Sequence, residues 1–61
     1  MTKANMISAI DEYEEIIKNL ETIRDKFSHK DPAWFVANLD VLDNIQERKS
    51  LKRHLADGHY E

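Results

Sequence analysis

The side chains of this sequence able to do chemistry are three histidines (His29, His54 and His59), many carboxylates, and a cluster of cations between Arg48 and His54. Catalysis by the first two groups would need an acid and a base, or a nucleophile and its base, at a recognisable spacing, and no such spacing occurs. Ser8, Ser28 and Ser50 are placed as polar or helix-capping residues rather than as nucleophiles. A lone glycine leaves no glycine-rich loop to cradle a phosphate. His54 and His59 stand five apart, whereas a helix brings ligands onto one face at three or four, so joint metal coordination is not expected; Asp57 adds only a loose cluster. The expectation is a protein that is not an enzyme, with no catalytic, cofactor or metal site.

The basic segment is different. Arg48, Lys49, Lys52 and Arg53 place four formal positive charges within six residues, with His54 following, in a chain whose net charge is −3. Such a patch can meet phosphates or an acidic protein surface. It is equally explained as a polar helix end whose cations complement the C-terminal dipole. Base-reading Asn, Gln or aromatic side chains are missing beside it, so any nucleic-acid contact there would read shape and phosphate rather than sequence.

The elements that position these residues are helices. From Met6 to Phe27 the apolar residues recur every three or four positions, the repeat of one helix face. As heptads, Met6, Tyr13, Leu20 and Phe27 take one core position and Ala9, Ile16 and Ile23 the second. Ile10 and Ile17 widen the stripe, which suits a bundle better than a two-stranded seam. Thr2 or Asn5 caps the first helix, predicted over about 5–28. A loop at 28–31 follows, with Asp31 and Pro32 as N-cap and first residue of a second helix over about 32–47. A connection this short joins antiparallel neighbours.

In helix 2, Phe35, Leu39 and Leu42 follow one stripe and Trp34, Val41 and Ile45 its flank. Five polar residues, Gln46 to Ser50, interrupt the pattern, and Leu51 then lies nearly opposite Leu42 around the helix. Two readings stand: one unbroken helix to about Ala56, or a break near Ser50 with a short third helix over about 50–57. Gly58 terminates the last helix, and His59, Tyr60 and Glu61 are expected to fray.

Sixty-one residues make one domain at most and bury too little apolar surface for easy stability. No cysteine is present to staple the chain, so self-association is the expected remedy. The fold class expected is all-α: an antiparallel helical hairpin with a possible short third helix, dimerising into a helical bundle. The dimer interface is assigned to Tyr13, Ile17, Leu20, Trp34, Phe35 and Val41. The mild acidity weighs against a domain held to nucleic acid by phosphate contacts alone. No apolar run approaches the ~20 residues of a membrane span, and no secretory signal is visible, so no membrane role and a cytoplasmic location are expected.

A cysteine-free acidic chain of this length, with two long helices joined by a tight turn, resembles the dimeric helical-hairpin regulators encoded by plasmids, including RNA-binding four-helix bundles. In size and composition it is similar to the small accessory proteins of temperate coliphages. The resemblance is architectural and carries no functional residues across. It implies a regulator that acts by binding, which for the phage accessory type means a host protein. The leading expectation is therefore a homodimeric interaction protein that modulates another protein. The alternative is a dimeric nucleic-acid-binding regulator using residues 48–54. A third, an antitoxin-like chain, would be partly unfolded without its partner.

Overall fold

Two side chains decide where the helices of this protein begin. In a computed structural model, which describes all 61 residues, the Thr2 hydroxyl accepts the amide N–H of Asn5 at 3.1 Å and the Asp31 carboxylate accepts that of Ala33 at 2.9 Å. Each satisfies a backbone donor that the first helical turn leaves without a partner. From these caps run α1 (Lys3–Arg24) and α2 (Pro32–Ala56). Pro32 sits in the first turn, where its missing N–H removes no helical bond. Asp31→Ala is expected to destabilise the fold by about 1 kcal/mol, read as a fall of about 4–8 °C in thermal midpoint.

The helices lie antiparallel in a rod of 44 × 15 × 13 Å. The short connection sets that direction, and two side-chain contacts between the helices follow it. Arg24, at the end of α1, lies over the Trp34 ring and donates to Asn38 Oδ1 at 3.0 Å, while Lys52, late in α2, pairs with Glu14 at 3.2 Å. The first helix stops at Arg24, three residues before its apolar pattern ends at Phe27, because the amides of Lys26 and Phe27 turn to the carbonyls three residues back, Ile23 and Arg24.

Residues 46–50 continue the helix, and α2 runs unbroken to Ala56, so the third helix is corrected. The reason is phase. Trp34, Val41, Arg48 and Leu55 are seven apart, as are Ala37, Asn44 and Leu51, and all are buried or half-buried. Leu51 and Leu55 therefore resume the line of Val41, not that of Leu42. The polar run breaks a stripe that the hairpin does not use.

Gly58 ends α2 with φ 73°, a conformation open to glycine. The amides of Gly58 and His59 close back on the carbonyls of Leu55 and His54. This turn carries the tail across the open end of the hairpin. Glu61 N–H donates to the Met1 carbonyl at 3.0 Å, and Lys3 lies 5.8 Å from the Tyr60 ring centre. The tail expected to fray is thus folded back onto the start of the chain.

Candidate interaction site

The stripe on α1 is wide because it is two lines. Met6, Ile10, Tyr13, Ile17, Leu20 and Arg24, spaced alternately four and three, are all buried or half-buried and face α2. Ala9, Tyr13, Ile16, Leu20, Ile23 and Phe27 have the same spacing one step around the helix. Tyr13 and Leu20 belong to both lines. Ile16 and Ile23 are 43% and 48% exposed, and Phe27 is also exposed. Ile10 and Ile17, assigned by sequence to the flank, are the core, while Ile16 and Ile23 face away from it.

Only Met6, Ile10, Ile17 and Val41 are buried. The chain exposes 4654 Å², against roughly 4,100 Å² expected of a compact monomer of its mass. Part of that surface is a cleft of about 620 Å³ along one edge of the groove between the helices, lined by Ala9, Tyr13 and Ile16 of α1 with Asn44 and Leu51 of α2, and edged by Met1, Glu12 and Glu47.

A second apolar line runs along α2. Phe35, Leu39 and Leu42 are all exposed, Leu39 at 61%, with Val36 beside them. Leu42 is one residue, or about 100°, around the helix from Val41, which is 2% exposed. The α2 line therefore cannot share the packing that buries Val41.

Among the residues assigned by sequence to a dimer interface, Ile17 and Val41 require correction. Both lie inside the hairpin, where a second copy cannot reach them. Tyr13 and Leu20 stay half-buried at the edge of the outer α1 line, and Phe35 is exposed. Trp34 closes the loop end, with His29 at 4.8 Å on one side and Phe35 edge-on at 5.5 Å. Ile16 and Ile23 were absent from that assignment, although their place in the heptad was the available signal.

The basic segment is divided by the helix that carries it. Lys49, Arg53 and His54 line one open polar hollow with Gln46 and Ser50. Lys52 is tied to Glu14. Arg48 falls on the seam line, half-buried, and its Nε has no hydrogen-bond partner. The five residues thus do not form one patch. Arg48→Met is expected to raise stability by about 1 kcal/mol, since the thioether keeps the packing and removes the orphaned donor. A higher urea midpoint at unchanged slope is the readout.

The Gly58 turn also brings His54 and His59 together, their rings stacked at 5.7 Å. No third histidine, carboxylate or thiol joins them in a metal-holding group. No helix is long and apolar enough to cross a membrane. No protein-family model, curated protein or solved structure matches this chain.

Proposed function

We propose that this protein is a non-enzymatic interaction module that works as a cytoplasmic homodimer and modulates another protein by binding it. One observation carries the reading: the hairpin buries four residues and leaves two regularly spaced apolar lines in water. Apolar surface arranged in this way on a small domain marks an interface rather than scattered exposed residues.

The first line, on α1, suits a second copy. It supplies large residues at Ile16, Leu20, Ile23 and Phe27, and the adjoining cleft continues it onto α2. Closure of two such hairpins makes a four-helix bundle, the usual solution for helices with more than one apolar face. Sedimentation equilibrium tests this step. A dimer that survives 0.5 M NaCl is expected, because apolar burial is little screened; a monomer across micromolar concentrations would exclude it.

The nucleic-acid reading is favoured by one feature, the joint hollow of Lys49, Arg53 and His54. It predicts binding to duplex DNA or structured RNA that weakens steeply with salt. The removal of Arg48 and Lys52 from that hollow reduces the charge available to it and places this reading second.

A further inference from the structure

The apolar line of α2 does not stop at Leu42. Continued at the same alternation of four and three, Phe35, Leu39 and Leu42 lead to Gln46, Lys49 and Arg53. All six are exposed. The two ion pairs of the fold, Arg24–Asp25 and Lys52–Glu14, use neither Lys49 nor Arg53. One side of the helix therefore presents an apolar half followed by a cationic half, over about 27 Å at 1.5 Å per residue.

We infer that this line is the docking site for an amphipathic helix of another protein, acidic in its first turns and apolar in its last. The inference rests on the interaction-module reading and names the class of partner for it. Phe35, Leu39 and Leu42 call for apolar side chains at matching three- and four-residue steps. Lys49 and Arg53, one turn apart, call for carboxylates one turn apart. Acidic residues are most stable in the first turn of a helix and so belong at the partner's N-terminal end. Placing that end over Arg53 runs the partner antiparallel to α2, with its positive dipole end beside the negative end of α2. A nucleic acid would match the cations, but it offers nothing to cover three exposed apolar side chains. A second copy is engaged through the other line, on α1.

The probe is a fluorescein-labelled 20-residue helical peptide with Glu on one face of its first two turns and Leu continuing that face at 4,3 spacing. Its counterpart carries Lys for each Glu. Anisotropy titrations on the full chain are expected to show the acidic peptide binding at least tenfold tighter than the basic one. Lys49→Glu with Arg53→Glu should reverse that preference. Leu39→Asp should weaken both peptides at least tenfold, with the circular dichroism spectrum unchanged because Leu39 is exposed.

Equal binding of the two peptides, no binding of either, or indifference to the charge reversal would overturn the proposal. Loss of duplex DNA or RNA-hairpin binding in the charge-reversed variant, without peptide binding, would assign the cations to phosphate instead. Sedimentation of the same variants separates the two readings. Dissociation of the homodimer by Leu39→Asp would mean that a second copy covers this line, which also overturns the docking site. A monomeric wild-type chain that still discriminates the peptides would overturn only the homodimer.

Discussion

Val41→Asp is expected to unfold the protein outright. Val41 is the most deeply buried side chain of the fold, and the other three buried residues are all on α1. Its loss therefore removes the one fully buried side chain that α2 contributes. Full burial of a valine contributes about 1.5–3 kcal/mol, and an unpaired carboxylate in its place adds a desolvation penalty of several kcal/mol. Against the ~3–5 kcal/mol that a core of this size supplies, the sum leaves no folded state. The helical circular dichroism signal should fall to that of a largely unfolded chain, and Trp34 emission should shift to the red as its ring becomes hydrated. Leu42→Asp is the control. One residue further on, in the same helix and with the same loss of an apolar side chain, it stands on the exposed line and should leave the hairpin folded. Equal damage from both would mean that the phase assigned to α2 is wrong.

The second large effect is expected from Ile16→Glu combined with Ile23→Glu. These residues lie on α1's outer line and make no part of the buried core. In the proposed dimer each would stand at the centre of an apolar contact, where a hot-spot residue is worth about 2 kcal/mol or more. Two such losses from one copy alone, about 4 kcal/mol, correspond to roughly a thousandfold rise in the dimer dissociation constant, and the same two losses from the second copy make that the lower bound. Sedimentation equilibrium should then find monomer at concentrations where the parent is dimeric. The released hairpin should also be less stable, because dimerisation adds to the stability of each chain by mass action. Circular dichroism at high protein concentration distinguishes a dissociated hairpin from an unfolded one. A double variant that remains dimeric would move the self-association surface away from α1.

Both results depend on a distinction between local and non-local information. Helicity was legible in the sequence: the three- and four-residue recurrence from Met6 to Phe27, Asp31 with Pro32, and Gly58 all act within a few residues of themselves. An antiparallel hairpin followed from the short connection. The spacing of α1 could not tell which half of its stripe faces α2. Ile10 and Ile17 lie one residue, about 100°, around the helix from Ala9 and Ile16, and either line satisfies the helical repeat.

The same ambiguity governs α2. Judged by apolar content, Phe35, Leu39 and Leu42 make the stronger stripe, and the polar run from Gln46 to Ser50 then looks like a break. The fold instead uses Trp34, Val41, Leu51 and Leu55, and accepts Asn44 and Arg48 between them. Asn44 is tolerated because its amide donates to the Asp40 carbonyl of its own helix at 2.8 Å, while Arg48 keeps its packing and leaves its Nε without a partner. The sequence by itself determined the helical class, the Asp31–Pro32 start of α2, the antiparallel order and the presence of more apolar surface than one hairpin can cover, while it left the α1 cap open between Thr2 and Asn5 and the continuity of α2 undecided. Only the tertiary structure decided which apolar line is core and which is surface, and how the cations of 48–54 are divided around α2. A helix repeats its faces by local geometry, but a face becomes interior only when another helix packs against it.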